Sequence, residues 1–166
     1  MTLAVSSPRL FPGIPGYTIV EQLYLGSRTA VYRAIEMAHN RSVVIKILRH
    51  EYPSFGELVQ FRNQYAIASR LPLAGIVQPL RLEPLGSGYA LVMEDWGGVS
   101  LSKYLQQQSL TLTDVLTIGL QIAEILHGLG QHRVVHKDIK PANILIRPET
   151  KQVKLIDFSI ATLLPR

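Results

Sequence analysis

Four features of this sequence could together serve one reaction. They are Gly26 in a turn between two predicted strands, Lys46 inside a third strand, Asp138 with Asn143 five residues later, and Asp157 after an apolar segment. A glycine lets the backbone approach a phosphate closely, a lysine can hold the phosphate charge, and carboxylate and amide oxygens can bind Mg²⁺. The set therefore indicates phosphoryl transfer from a nucleotide, with the Asp138 carboxylate orienting the attacking hydroxyl.

Each feature also has an ordinary interpretation when it is taken alone. A lysine in an apolar strand usually extends its amine to water, and an aspartate after a strand is often a turn or cap residue. A glycine turn between two strands indicates a hairpin and nothing more. The order of the motifs is far more specific, because VVIK at 43–46 is followed by HKDIKPANIL at 136–145 and VKLIDF at 153–158.

The composition limits the classes of protein that fit. The chain has 166 residues, a length typical of one compact domain, and its lack of cysteine excludes disulfides, cysteine-bound zinc and thiolate catalysis. Only 17% of the residues are charged, against about 25% in a typical soluble chain, and the mean hydropathy is +0.17. This shortage of charge predicts an exposed apolar face. We expect no membrane-spanning segment, no secretory signal and a cytoplasmic location.

The basic balance gives little information about partners. The net charge is +5, but the Lys and Arg residues are spread along the chain without a run of five or six. A nucleic-acid surface is therefore weakly supported, and we predict no nucleic-acid partner. A positive balance also suits a protein that handles polyphosphate.

The first half of the chain predicts a small sheet that carries one helix. Residues 1–16 are rich in proline and glycine and predict a leader that packs little. Strands are expected at 17–24, 30–35, 42–48, 77–83 and 88–93, where β-branched and aromatic residues are frequent. Ser54 precedes Glu57 by three residues, the spacing of a capping box, and the helix that follows is expected to end at Leu71-Pro72.

The second half predicts mainly helices. They are expected at 101–107 and 113–131, and the longer one is apolar on two sides, which predicts burial in the middle of a core. A polar loop at 136–143 precedes two short strands at 144–146 and 153–156. The predicted fold class is therefore α+β.

These motifs resemble those of the eukaryotic-type Ser/Thr protein kinase family. Residues 43–46 are similar to the V-A-I-K strand, 136–143 to the catalytic loop, and 157–159 to the D-F-G triplet. The resemblance covers about 17–160 and implies an N-lobe at 17–93 with a five-stranded antiparallel sheet and one helix, a hinge at 94–98, and a partial, mainly helical C-lobe at 99–166. Residues 51–65 and 92–98 more narrowly resemble the kinase domains that open cyanobacterial multi-sensor hybrid kinases, which implies downstream sensor or histidine-kinase modules.

The resemblance also implies a role for each site residue, with ATP and Mg²⁺ as cofactors and a protein Ser/Thr as substrate. Asp138 would accept or orient the hydroxyl proton, Lys140 would contact the γ-phosphate, and Lys46 would pair with the α- and β-phosphates. Asn143 and Asp157 would bind Mg²⁺. The remaining nucleotide-binding residues are implied to cover the phosphates or to surround the adenine: Leu23, Gly26, Val31, Val44, Met93, Glu94, Trp96 and Leu145.

Three positions around the nucleotide depart from the family pattern. Tyr24 and Thr29 stand where the phosphate loop has glycines, which predicts weaker or less well aligned nucleotide binding. Gln64 aligns with the helix glutamate that pairs with the strand lysine. We therefore expect Lys46 to rely on Asp157 and on nucleotide phosphate instead.

The end of the sequence departs further. Lys137 replaces an arginine, which disfavours control by phosphorylation of the following segment, because lysine lacks the bidentate fork of arginine. Ser159 replaces the glycine after Asp157-Phe158, so the triplet should flip less freely. The family continues through further helices, whereas this sequence stops at Arg166. The resemblance thus implies a truncated domain that is weak or inactive by itself.

Other functions stay open from the sequence. A nucleotide-binding pseudokinase-like scaffold or sensory module fits the missing glycines and Gln64. The residues that carry the chemistry are nevertheless retained, which argues against such a scaffold for the parent domain; they are Lys46, Asp138, Asn143 and Asp157. A small-molecule kinase of the aminoglycoside or choline type also uses an Asp-then-Asn loop. Those families generally lack a lysine at the position of Lys140, which argues against this reading.

Overall fold

The computed structural model describes residues 13–165. Most of the predicted leader lies outside these residues, but its last part packs on the domain. Ile14 is buried in the upper core, and the amide of Met37 donates to the carbonyl of Gly16 at 3.0 Å. The prediction that residues 1–16 pack little is therefore wrong at positions 14 and 16.

Five strands form the predicted antiparallel sheet. They are β1 (Tyr17–Leu25), β2 (Thr29–Glu36), β3 (Arg41–Leu48), β4 (Pro79–Leu85) and β5 (Gly88–Glu94), in the spatial order β1-β2-β3-β5-β4. Strand β4 begins two residues later than predicted. The reason is that the amide of Val77 donates to the carbonyl of Leu155 at 3.1 Å, which ties this segment to the lower lobe.

Side-chain alternation in β3 gives the sheet a core face and an open face. Residues 43, 45 and 47 lie in the upper core with residues of the neighbouring strands: Ala30, Tyr32, Ala34, Ala90 and Val92. Val44 and Lys46 point to the opposite face. The strand register places Val31 opposite Lys46 and Met93 opposite Val44, so these four residues share that face.

The helix α1 (Phe55–Ala68) lies against this sheet and begins as predicted. Ser54 accepts from the amide of Glu57, and the Glu57 carboxylate accepts from the amide of Ser54 at 2.9 Å, which completes the capping box. The helix ends at Ala68, earlier than the Leu71-Pro72 pair, and Leu71 itself is buried in the lower core.

The lower lobe combines two helices with short strands. Its elements are β6 (Val99–Ser100), α2 (Leu101–Gln107), α3 (Leu112–Gln131), β7 (Val134–Val135), a 3-10 helix (Pro141–Asn143), β8 (Ile144–Ile146), β9 (Val153–Leu155) and β10 (Thr162–Leu163). Strands β6, β8 and β9 form one small sheet, and β7 pairs with β10. The two-residue strands were not predicted, because two residues are too few to show a side-chain period.

Helix α3 is more exposed than predicted. Its buried residues are Ile118, Gly128 and Leu129, while Leu116 and Leu120 are 65% and 64% exposed. The prediction that this helix is buried in the middle of a core is therefore wrong for this chain. The exposed side is instead the apolar face that the low content of charged residues predicts.

The same helix has the length and composition of a membrane span. These two properties do not overturn the expectation of no membrane-spanning segment, which stays a prediction. One side of the helix packs on the lower core through Ile118, Ile122, Ile125 and Leu129. Since core helices meet the same two criteria, the pattern by itself does not indicate a membrane helix.

Charged side chains join the two edges of the upper sheet. Arg81 on β4 contacts the buried carboxylate of Glu36 on β2, which also accepts from Arg41 at 2.5 Å. Tyr17 on β1 donates to Glu83 on β4 at 2.9 Å. Because β1 and β4 are the two edge strands, these bonds curl the sheet around its core.

This network predicts acid-sensitive stability. Burial alone would raise the pKa of Glu36, but hydrogen bonds from Arg41, His39 and Arg81 outweigh it and lower the pKa to about 2. The stabilisation is complete above the ordinary pKa of 4.5 and is lost as the pH falls towards 2. We expect Glu36→Gln to lower the melting temperature by several degrees at pH 7 and by less at pH 3. Calorimetry beside the exposed control Glu149→Gln measures this, and an equal loss at both pH values would argue against it.

Candidate functional site

Lys46 lies at the centre of the predicted site and is buried. Its amine donates to Gln64 Oε1 at 3.0 Å and to Asp157 Oδ1 at 3.1 Å, and it lies 5.6 Å from the centre of the Phe61 ring. The expected contact of Lys46 with Asp157 is present, but the expectation that this contact replaces the helix partner is wrong, because Gln64 also binds the amine. Gln64 nevertheless keeps the helix partner in place, as a neutral acceptor. A buried cation held by one carboxylate and one amide keeps capacity to bind a further anion.

Asp157 occupies a strained backbone position directly after β9. Its φ is 65°, in the left-handed region that side chains rarely adopt, and the amide of Ile156 donates to the Asn143 carbonyl at 2.9 Å. Burial would raise the pKa of Asp157, but the Lys46 charge and hydrogen bonds from Ser159 and Lys46 hold it below its usual range. The carboxylate is therefore ionised at neutral pH and available to a cation.

The catalytic loop brings three predicted residues together. Asn143 Nδ2 donates to Asp138 Oδ2 at 2.7 Å and to the Asp138 carbonyl at 3.0 Å, and Lys140 Nζ lies 2.8 Å from Asp138 Oδ2. The hydrogen bond to Asp138 is the largest cause of the raised pKa of Lys140. These bonds fix the Asp138 carboxylate beside a cation and leave the Asn143 amide oxygen as an acceptor.

His136 is a site residue to which the sequence analysis gave no role. Its Nδ1 accepts from the amide of Asp138 at 3.2 Å, its Nε2 donates to the Ile156 carbonyl at 3.0 Å, and its ring meets the Phe158 ring edge-on at 4.7 Å. Burial lowers the pKa of His136, which keeps the imidazole neutral in this arrangement. The histidine therefore connects the loop of Asp138 to the segment of Asp157. The sequence signal that could have identified His136 is its position two residues before Asp138.

Asn63 is a second residue that the sequence analysis missed. Its Nδ2 donates to the carbonyls of Ser159 and Ala161 at 3.2 and 2.9 Å. Together with the Gln64–Lys46 bond, this holds α1 near the segment after Asp157 through neutral side chains of the helix. No periodicity marks a side chain that bonds backbone 96 residues later.

The neutral partner of Lys46 leads to a testable substitution. Gln64→Glu would replace the bond between the Lys46 ammonium and a neutral amide with an ion pair, and would leave Asp157 freer to bind a cation. We expect Mg²⁺-ATP to bind about threefold to tenfold more tightly, as measured by titration calorimetry. Gln60→Glu, on an exposed position of the same helix, is the matched control. Equal affinities of wild type and Gln64→Glu would show that this pair does not matter.

The residues predicted around the adenine lie in both lobes. Val31, Val44 and Met93 are half-buried on the sheet face that carries Lys46, and Leu145 is half-buried on β8 in the lower lobe. Leu23 lies in an irregular part of β1 and is 40% exposed. The arrangement gives a half-buried apolar face near the Lys46 amine. Such a face suits a flat apolar base.

The connector 94–98 holds the two lobes through specific bonds. The amide of Glu94 donates to the Gln78 carbonyl at 3.0 Å, and its carboxylate lies 2.5 Å from Lys154 Nζ. The carbonyl of Trp96 accepts from Arg147 Nη2 at 2.6 Å and from Nε at 3.2 Å. Glu94 and Trp96 are the connector residues implied to bind the adenine, and the Glu94 amide and the Trp96 carbonyl are already hydrogen-bonded within the protein.

The turn at Gly26 is narrow. The amide of Gly26 donates to the Thr29 carbonyl at 2.9 Å, and Arg49 Nη1 donates to the Gly26 carbonyl at 2.5 Å. The ring of Tyr24 lies against Gly26 so closely that a side chain at position 26 would collide with it. The Tyr24 ring therefore fills space that a glycine at position 24 would leave open.

Lys137 takes a partner in the segment that follows Asp157. Its Nζ donates to Thr162 Oγ1, and its own φ is 70°. Thr162 belongs to β10, which pairs with β7 just before Lys137. The segment is thus held by a neutral hydroxyl, and the expectation that phosphorylation does not control it stays a prediction.

The residues present fit a magnesium ion. Within residues 13–165, no group of three His, Cys, Asp or Glu side chains could form a protein-only metal cage. Mg²⁺ does not need one, because it keeps several waters and uses one or two protein ligands with substrate phosphates. Asn143 and Asp157 provide such a pair, since the Ile156–Asn143 backbone bond holds their segments side by side.

A groove of about 530 Å³ adjoins the connector at Trp96, and Lys46 is not among its lining residues. It is lined by residues of both lobes, including Leu73, Trp96, Ile125 and Lys154. None of the predicted catalytic or metal-binding residues lines it. The groove is therefore not the site described above.

Comparisons with known proteins agree with this geometry. The family model described as the protein kinase domain matches residues 17–166. The chain is 35% identical over 150 residues to serine/threonine-protein kinase PrkC of Bacillus subtilis, which is 89% of this chain and 23% of that protein. It is 31% identical over 147 residues to a probable serine/threonine-protein kinase of Clostridium acetobutylicum, which is 87% of this chain and 22% of that protein.

A third relative aligns with a larger share of this chain. Serine/threonine-protein kinase PknA of Mycobacterium tuberculosis is 31% identical over 163 residues, which is 93% of this chain and 38% of that protein. The chain thus spans less than two fifths of the length of each of these relatives. The match includes the strand of Lys46, the loop of Asp138 and the segment of Asp157. The chain therefore belongs to the protein kinase family, with a kinase N-lobe and a partial helical lower lobe.

Proposed function

We propose that this chain binds Mg²⁺-ATP and transfers its γ-phosphate to a serine or threonine hydroxyl of a protein. The observation that carries the proposal is the joining of Lys46 to Asp157 at 3.1 Å, beside a loop in which Asn143 and Lys140 hold Asp138. The chain contributes these groups from segments that are up to 111 residues apart. A simple hairpin or turn would not bring them together.

Each side chain has a defined task in this proposal. Lys46 neutralises phosphate charge, and Asp138 accepts the proton of the substrate hydroxyl or orients it. Lys140, held 2.8 Å from Asp138, stabilises the charge of the transferred group. Asn143 and Asp157 would hold Mg²⁺, which supplies charge neutralisation on the phosphates when bound.

The choice of a Ser/Thr protein substrate rests on the relatives and on Lys140. PrkC and PknA are named serine/threonine-protein kinases. Lys140 is two residues after Asp138, where the resemblance places the lysine of Ser/Thr-type kinases.

A nucleotide-binding scaffold is the second candidate, and one contact favours it. The ring of Tyr24 packs on Gly26, where the backbone would have to cover phosphate closely. The Tyr24 side chain should lower the rate of phosphate transfer, because it restricts the turn at Gly26, while Lys46 and Asp157 are retained. We therefore propose slow transfer by these 166 residues alone. The predicted cyanobacterial resemblance and its downstream modules stay predictions.

Peptide phosphorylation separates these functions. Peptides that differ only in the acceptor residue, Ser, Thr, Tyr or Ala, are incubated with the chain, Mg²⁺ and ATP labelled at the γ-phosphate. We expect slow labelling of the Ser and Thr peptides and none of the others. Labelling of aminoglycoside or choline instead would indicate a small-molecule kinase. ATP binding with no labelling of any acceptor would favour the scaffold.

A further inference from the structure

Arg147 caps a backbone group on the connector between the lobes. It follows β8, and its guanidinium donates to the Trp96 carbonyl through Nη2 at 2.6 Å and Nε at 3.2 Å. The same guanidinium lies 4.4 Å from the centre of the Trp96 ring. The planar fork of arginine allows both bonds to one acceptor while the group lies on the indole.

Neighbouring contacts hold this arrangement in place. Lys154 Nζ lies 5.7 Å from the centre of the Trp96 ring and 2.5 Å from Glu94 Oε1. The amide of Gln78 donates to the same Glu94 oxygen at 3.0 Å. Connector and lower-lobe hairpin therefore form one bonded unit. The Trp96 carbonyl is committed to a charged donor that a ligand would have to displace.

Because Arg147 already occupies the Trp96 carbonyl, the connector can bind some bases better than others. Adenine presents an amino donor at C6, an acceptor at N1 and only a hydrogen at C2. The family resemblance implies that Trp96 offers the base a backbone hydrogen bond; a base that accepts at N1 from the Trp96 amide would bring its C2 substituent towards the carbonyl of the same residue. A 2-amino group there would face a carbonyl already occupied by Arg147 and would lose its partner, which is costly in a desolvated site.

We propose that Arg147 is a specificity-determining residue that makes the site reject purines with a 2-amino group. The proposal rests on the proposed ATP binding. It assigns to Arg147 a task that neither Lys46 nor the catalytic loop performs. The residue acts on the base through the Trp96 carbonyl and not on the transferred phosphate.

A minimal pair of nucleotides tests the proposal. ATP and 2,6-diaminopurine riboside triphosphate differ only by the 2-amino group, and calorimetry with Mg²⁺ gives the ratio of their Kd values. We expect wild type to bind ATP about tenfold more tightly. Arg147→Met keeps an apolar side chain on Trp96 and removes both donors, so the ratio should fall to about one or below. Arg147→Lys, with a charge but no fork, should give an intermediate ratio.

Lys103→Met is the control. It removes an exposed cation on α2 and leaves the contacts of the connector intact, so the ratio should stay at the wild-type value. An unchanged ratio in Arg147→Met and Arg147→Lys, with ATP still bound, would overturn the role of Arg147 and leave the proposed function standing. Binding of neither nucleotide to wild type would overturn the proposed function and this inference with it.

Discussion

Asp138→Asn is expected to lower the rate of phosphate transfer to the Ser and Thr peptides by about 10²- to 10⁴-fold. The substitution keeps the shape of the side chain and an oxygen that can accept from Asn143 Nδ2, which lies 2.7 Å from Asp138 Oδ2. It removes the group that can take the proton of the hydroxyl. The loss should therefore fall on the rate of transfer and not on nucleotide binding.

The measurement follows labelled peptide over time and the Kd of Mg²⁺-ATP for the same protein samples. Asp114→Asn is the matched control, because Asp114 caps α3 and has no contact with the catalytic loop in the described residues. We expect the control to transfer at the wild-type rate. A rate for Asp138→Asn within threefold of wild type would rule out the proposed role of Asp138.

Asp157→Asn is expected to remove the dependence of ATP binding on Mg²⁺. The wild-type carboxylate lies 3.1 Å from Lys46 and is ionised at neutral pH, because its pKa is held below the usual range. Carboxylate is the ligand type that Mg²⁺ prefers, and an amide in its place carries no charge. We expect Mg²⁺ to tighten ATP binding to wild type about tenfold or more, and to change binding to Asp157→Asn by less than twofold.

Acid should reproduce part of this effect. Because the pKa of Asp157 is depressed, the Lys46–Asp157 pair is intact above the ordinary aspartate pKa of 3.8 and is lost as the pH falls below it. Asp157 should stay ionised between pH 7 and pH 6, so a change in Mg²⁺ dependence in that range would reflect the terminal phosphate of ATP, which titrates at about pH 6. We expect the contribution of Asp157 to be lost only as the pH falls below 3.8, and its loss well above that value at constant charge of ATP would contradict this role.

Site residues could be predicted from the sequence when they belong to a motif that combines unusual residue types. Lys46 in an apolar strand and Asp157 after another are separated by 111 residues, yet the ordered motifs place them together, and the structure joins them at 3.1 Å. The five strands of the upper sheet follow from their β-branched runs, and α1 begins at the predicted capping box. For the strands and for the start of α1, a local pattern determines the local structure.

Other features depend on contacts that no local pattern records. The Arg147–Trp96 bond joins a charged side chain to a backbone carbonyl 51 residues away, and the sequence shows neither a period nor a spacing for it. Ile14 follows prolines and glycines, yet it is buried because the upper core has room for an apolar side chain. For α3, an apolar surface on two sides predicts burial, but within residues 13–165 only one side of this helix packs on the lower core.

The central claim is that Lys46 and Asp157 form a binding site for Mg²⁺-ATP. It is tested most directly by the thermal shift that ATP with Mg²⁺ produces in wild type and in Lys46→Ala, with the exposed Lys103→Ala as control. At an ATP concentration about a hundred times the Kd, binding should stabilise wild type by about 2.7 kcal/mol. We predict a rise of several degrees in the melting temperature of wild type and the control, and none in Lys46→Ala. No rise in wild type, or the same rise in Lys46→Ala, would contradict the claim.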